Sequence, residues 1–157
     1  MQAFFFKNIM KIVRTTSENP DFIRLTKLLD EFLADYNGEA DPFYSEFNKI
    51  QLLEYCIVGY EKDEPVCCGA IKKYDGKTAE IKRMFTLPEW RGRKLGNETL
   101  SELENWAKEL EFEVCFLETG VGLKSAIKLY ESSGYEKIPN YGDYAGVETS
   151  VCFRKKL

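Results

Sequence analysis

Residues 91–96, Arg-Gly-Arg-Lys-Leu-Gly, place three cations and two glycines immediately ahead of an amphipathic helical pattern. A pyrophosphate needs convergent backbone N–H groups, little side-chain bulk and the positive end of a helix dipole, and this stretch can supply all three. Gly92 and Gly96 permit close approach or unusual φ values, while Arg91, Arg93 and Lys94 add charge. The spacing is neither the dinucleotide-binding G-x-G-x-x-G nor a Walker A loop. On spacing alone, a basic turn that starts a helix reads equally well.

The helix that this loop opens is expected to run to about residue 111, with Leu100, Leu103, Ala107 and Leu110 as its buried line. Ahead of the loop, residues 78–87 read as a strand. Ala79, Ile81, Phe85 and Leu87 fall on one face, interrupted by Arg83, and Glu80, Lys82, Met84 and Thr86 fall on the other. That strand closes a meander begun by β-rich stretches at 51–60 and 66–74, joined through the charged turn at 61–65 and the Asp75-Gly76 turn.

Upstream, a short strand at 11–14 precedes a helix capped by Asn19 with Pro20 in its first position. Phe22, Leu25, Leu29, Phe32 and Tyr36 form its apolar stripe, and Gly38 closes it. A short helix near residues 43–48 follows. Downstream come an apolar strand at 113–119, a helix at 124–133 ended by Gly134, and two last strands near 135–138 and 149–154. This order predicts an α/β (α+β) fold in a single domain spanning 1–157. A mixed, largely antiparallel central sheet of about six to seven strands would be flanked by about four helices on both faces.

Composition narrows the function. With 157 residues and 44% hydrophobic content, the chain suits one packed domain. A net charge of −4 disfavours nucleic acid as the main partner, and no apolar run is long enough to span a membrane. The opening eight residues lack the marks of a signal peptide, so a cytoplasmic location is expected, with residues 1–9 read as an N-terminal extension or as an early start ahead of Met10. The five cysteines form an odd set without a C-x-x-C pair, and reduced buried thiols are expected. Histidine is absent altogether. That excludes histidine-dependent serine or cysteine catalysis and Cys/His zinc sites, and no metal is called for. Proton transfer must then use carboxylates, Tyr, Cys, Lys, a terminus or water.

Taken together, the strand at 78–87, the loop at 91–96, the helix after it, the strand at 113–119 and "AIKLYESSGY" at 126–135 resemble the GNAT superfamily of acetyl-CoA-dependent N-acetyltransferases. The family's pyrophosphate loop reads Q/R-x-x-G-x-G/A, which Arg91 and Gly96 match at its ends while Lys94 replaces the middle glycine. The resemblance implies a GNAT-like fold and acetyl-CoA as donor, held by Arg91, Gly92, Arg93, Lys94, Leu95, Gly96 and Asn97. Phe85, Thr86 and Leu87 would run along the pantetheine arm, and Gly69 would lie where its strand passes near the core of the cleft. It also implies Tyr130 as the acid near the thioester sulfur and Glu80, eleven residues before Arg91, as base. Leu123 stands where many members keep an asparagine.

Family members build the acceptor pocket from the first helices and the last loop, which would enlist Tyr36, Phe43, Tyr44, Tyr141 and Tyr144, with Asp143 or Glu148 meeting a cationic amine. The reaction implied is acetyl transfer to a primary amine of a small molecule or peptide, directly in a ternary complex. The lack of a histidine to activate a thiol argues against a cysteine relay. Two alternatives stay open: a non-catalytic acyl-CoA-binding or regulatory domain, and an unrelated nucleotide binder. A homodimer is compatible with the acetyltransferase reading.

Overall fold

A computed structural model describes residues 10–48 and 52–157. The expected extension at 1–9 and the start of the stretch at 51–60 lie outside the described residues. The chain runs β1 (Lys11–Thr15), α1 (Pro20–Asn37), α2 (Asp41–Asn48), β2 (Tyr55–Glu61), β3 (Glu64–Lys73), β4 (Thr78–Thr86), α3 (Leu95–Glu109), β5 (Val114–Gly120), α4 (Lys124–Ser132), β6 (Glu136–Ile138) and β7 (Ser150–Lys156). The seven strands among the described residues form one sheet in the order β1-β2-β3-β4-β5-β7-β6. Every pairing is antiparallel except β4 with β5. Among the described residues no helix is long and apolar enough to cross a membrane.

Local signals set several boundaries. Asn19 Oδ1 accepts from the N–H groups of Asp21 and Phe22 at 2.8 and 3.2 Å, which satisfies two orphan donors of α1. Gly38, at φ 54°, ends it. Asp75 Oδ1 accepts from Lys77 and Thr78 N–H, both at 2.8 Å, and so tightens the β3–β4 turn.

The two faces of the sheet are covered differently. Phe22, Leu25 and Leu29 of α1 pack with Cys56, Val58, Cys68, Ala70 and Phe85. Leu100, Leu103 and Ala107 of α3 pack on the opposite face with Ile57, Ile71, Ala79 and Ile81, and Tyr130 of α4 joins this second cluster. Each cluster removes several large apolar side chains from water, at about 1.5–3 kcal/mol for each fully buried one.

The alternation expected for residues 78–87 holds only as far as Lys82. Cys68 lies opposite Phe85 and Ala70 opposite Lys82, so β4 carries one residue more than β3 between these pairs. The extra residue makes a β-bulge, with Arg83 in the left-handed region at φ 60°. Beyond it the faces exchange: Met84 packs toward α3, whereas Phe85 and Leu87 pack toward α1. Arg83 thus does not interrupt an apolar face. Its guanidinium turns to α1, where Nη1 lies 2.8 Å from Asp30 Oδ1 and Nη2 donates to the Thr26 carbonyl at 3.0 Å. Gly69 sits beside the bulge. It faces α3 rather than the cleft, since a Cβ there would lie 2.7 Å from Met84 Sδ and 2.8 Å from Leu103 Cδ1.

Candidate active site

The pairing of β4 with β5 stops at Glu80 and Phe116. From Ile81 to Thr86, β4 has no strand partner on that side among the described residues, because the two strands part as they approach α3 and α4. The gap opens into a cleft of about 920 Å³. Its walls are the C-terminal half of α1, the parted strands, the loop 90–97 and the first turns of α3 and α4.

At one end of the cleft lies the N-terminus of α3. No side chain caps it, and its N-cap is Lys94, which adopts φ 61°, ψ 21°. Lys94, which replaces the middle glycine of the loop pattern, thus takes a left-handed conformation at a cost of about 1–2 kcal/mol. The first intrahelical bond here runs from Glu98 N–H to Lys94 O, so the N–H groups of Leu95, Gly96 and Asn97 carry the positive end of the dipole into the cleft. Gly92, at φ 78°, has open space where a Cβ would stand. At Gly96 a Cβ would meet Leu129 Cδ2 of α4 at 3.2 Å, so this glycine also sets how closely the two helices approach. The α4 N-terminus faces the same cleft. Leu123 is its N-cap and supplies no side-chain bond.

The sequence-predicted residues divide. Glu80, Phe85, Thr86, Arg91, Gly92, Lys94, Leu95, Gly96, Asn97 and Tyr130 all line the cleft, whereas Leu87 and Arg93 do not. Leu87 packs into the α1 cluster, and the Arg93 guanidinium lies 4.5 Å from the Trp90 ring centroid. Arg91 faces back into the fold. Its Nε donates to the Thr86 carbonyl at 3.0 Å, and its guanidinium rests near Phe32 and Phe85.

The aromatics expected at the acceptor end also divide. Tyr36, Tyr44 and Tyr144 line the cleft, whereas Phe43 and Tyr141 do not. The Tyr36 hydroxyl accepts from Gly122 N–H at 2.9 Å, and Tyr44 hydrogen bonds to both Thr149 and Ser150. Tyr141 stacks on Phe116 with centroids 3.8 Å apart and donates to Glu80 Oε2 at 2.6 Å. Asp143 and Glu148, offered as partners for a cationic amine, are exposed outside the cleft.

In their place the cleft holds Glu118 and Lys82, which the sequence reading did not single out. Cys115 and Leu117 point into the α3 cluster, so strand alternation turns Phe116 and Glu118 to the other face, beside Glu80. A single carboxylate within the otherwise apolar strand at 113–119 was the available signal. Burial pushes the Glu118 carboxyl up to about 7, opposed by the Ser150 hydroxyl and the Lys82 charge and reinforced by Glu80. Burial likewise lowers the Lys82 ammonium, which Glu80 partly restores.

Tyr130 is buried against Tyr135 and Phe153, and among the described residues its hydroxyl makes no hydrogen bond. Burial, then the Glu118 charge, raises its phenol and holds it neutral. All five cysteines are buried and free. Burial raises each thiol, Cys67 to about 11 and Cys56 and Cys115 to about 12.

A sheet parted beside an uncapped helix N-terminus agrees with the family comparison, in which the profile described as "Acetyltransferase (GNAT) family" matches residues 23–135. The chain belongs to the GNAT family of acetyltransferases. This GNAT acetyltransferase is 33% identical over 144 residues to the uncharacterized N-acetyltransferase YjgM of Escherichia coli, covering 83% of this chain and 81% of the relative. Its fold matches that of a candidate acyl-CoA N-acyltransferase from Klebsiella pneumoniae at TM-score 0.81 and 26% identity, covering 96% of this chain and 99% of the other. A GNAT family acetyltransferase from Elizabethkingia anophelis, solved with acetyl-CoA bound, shares the fold at TM-score 0.68 and 18% identity, over 96% of this chain and 99% of that one.

Proposed function

We propose that residues 1–157 act as one N-acetyltransferase domain that moves an acetyl group from acetyl-CoA to a primary amine of a small molecule or peptide, directly within a ternary complex. The observation that carries this reading is the parting of β4 from β5 at Glu80 and Phe116, which opens a cleft running from an uncapped helix N-terminus to the carboxylates of Glu80 and Glu118. Bound acetyl-CoA supplies an activated acetyl group and a thiolate that leaves readily.

The chain's own residues do the rest. The N–H groups of Leu95, Gly96 and Asn97 hold the pyrophosphate, with Lys94 at the helix end and Arg91 on the cleft wall adding charge. Gly92 keeps side-chain bulk away. The edge of β4 at Phe85 and Thr86 guides the pantetheine arm by backbone hydrogen bonds, whereas the Leu87 N–H and carbonyl are already bonded to Val66 and Trp90. Because coenzyme A leaves easily, positioning supplies much of the rate enhancement. Tyr130, neutral and buried, returns a proton to sulfur. The base comes from the carboxylate pair Glu80 and Glu118. The raised cysteine thiols favour direct transfer over an acyl-cysteine, since the thiolate is the reactive form.

Thermal unfolding with and without coenzyme A, together with thiol release from acetyl-CoA across a panel of primary amines, tests the reading. Coenzyme A should raise Tm, and at least one amine should accelerate thiol release. Binding without any amine-dependent release would turn the assignment to an acyl-CoA-binding domain.

A further inference from the structure

The cleft contains two carboxylates on neighbouring strands, and their surroundings differ. Glu80 lies at the last β4–β5 pair, is 8% exposed and accepts the Tyr141 hydroxyl. Tyr141 is clamped against Phe116 and belongs to the 139–149 connection, so Glu80 fastens that loop to the sheet. Glu118 lies beyond the last pair, where the strands have parted. Ser150 Oγ donates to its Oε2 at 2.9 Å and is itself bonded to the Tyr44 hydroxyl at 2.9 Å, so the carboxylate is held in one orientation. Its Oε1 makes no hydrogen bond among the described residues. Tyr130 lines the same cleft, and after burial the Glu118 charge raises its phenol.

Resting on the acetyltransferase reading above, we infer that Glu118, and not Glu80, is the base that takes the proton from the attacking amine, while Glu80 is a positioning residue for the 139–149 loop. Glu118 accepts the N–H proton as the bond from nitrogen to the acetyl carbonyl carbon forms. Tyr130 donates its hydroxyl proton to sulfur as the carbon–sulfur bond breaks and its electron pair stays on sulfur. The proton on Glu118 then restores the Tyr130 phenol through water, which closes the cycle without net change in the protein.

Burial that brings the Glu118 carboxyl to about 7 makes it a stronger base than an ordinary glutamate while leaving it substantially ionised near neutrality. The titratable groups that face it are Lys82 and Glu80 from β4, Tyr130 from α4, Tyr144 from the 139–149 loop and Cys152 from β7, with Tyr44 of α2 reaching it through Ser150.

The test compares the whole chain with Glu118→Gln and Glu80→Gln in thiol release from acetyl-CoA. The acceptors are 2-phenylethylamine, 1,5-diaminopentane and lysine methyl ester, with pH profiles of kcat/KM for whichever reacts fastest. Glu118→Gln should lower kcat/KM by about 100-fold or more and abolish an acid limb near pH 7, with the Tm shift given by coenzyme A retained. Glu80→Gln should lose less than about tenfold and keep the limb. Carbon-13 labelling of the glutamate carboxyls reads the same group directly: the resonance that titrates near neutrality should vanish in Glu118→Gln and persist in Glu80→Gln. A limb that survives in Glu118→Gln, or disappears in Glu80→Gln, overturns the assignment of the base. Wild-type chain that binds coenzyme A yet acetylates none of the three amines overturns the transferase reading, and the base assignment with it.

Discussion

The Tyr141 hydroxyl donates to Glu80 Oε2 across 2.6 Å, joining the 139–149 connection to the point where β4 and β5 separate. Removing the donor with Tyr141→Phe leaves a buried carboxylate oxygen without its partner, at a cost of about 1–3 kcal/mol. The expected result is a fall in Tm of about 2–4 °C per kcal/mol, read by thermal unfolding of the ligand-free protein. An unchanged Tm would show that the loop is held by other contacts.

Tyr130→Phe keeps the ring packed against Tyr135 and Phe153 and removes only the hydroxyl. Turnover is expected to fall by about 100-fold or more, while coenzyme A affinity stays within about twofold of wild type. Steady-state rates and a calorimetric titration distinguish the two effects, and an unaltered rate would remove Tyr130 as the acid.

Lys94 combines a cation at the α3 N-terminus with left-handed backbone. Lys94→Gly relieves about 1–2 kcal/mol of strain and loses about 0.5–1 kcal/mol to the freer unfolded chain, so a small net stabilisation is expected. Affinity for coenzyme A should drop as the charge goes, and more so at low salt. The Debye length shrinks roughly threefold between about 20 and about 200 mM salt, so equal affinity at both for both proteins would place Lys94 away from the phosphates.

Glu118 makes stability depend on pH with a defined sign. Its carboxyl titrates near about 7 when folded against a reference of 4.5, so between these values the native state binds more protons than the unfolded chain. Wild-type stability from this group is therefore greatest at acid pH, falls as pH rises through that window and stays lower above it. Glu118→Gln removes the penalty. Relative to wild type it should gain about 3 kcal/mol at pH 8 and almost nothing near pH 4, measured by denaturant unfolding at each pH. No relative gain at pH 8 would mean that the carboxylate is well solvated in the folded protein.

Much of this protein is written locally. Asn19, Pro20 and Gly38 bound α1, and Asp75 closes the β3–β4 turn, because caps and turns depend on hydrogen bonds and φ values within a few residues. The loop from Arg91 to Gly96 ahead of a helix, with the LYESSGY stretch downstream, was enough to name the family that the comparison shows. The tertiary structure decided what depends on register and on neighbours far along the chain. The bulge at Arg83 exists because Cys68 and Ala70 pair with Phe85 and Lys82 rather than in even steps, and Arg83 finds Asp30 on a helix distant in sequence. One inserted residue reverses every side chain beyond it, so strict alternation carried Phe85 and Leu87 to the wrong face. Glu118 reads in sequence as one acid in an apolar strand. Only the parting of β4 from β5, with Ser150 and Lys82 beside it, makes that acid a half-buried carboxyl poised near neutrality.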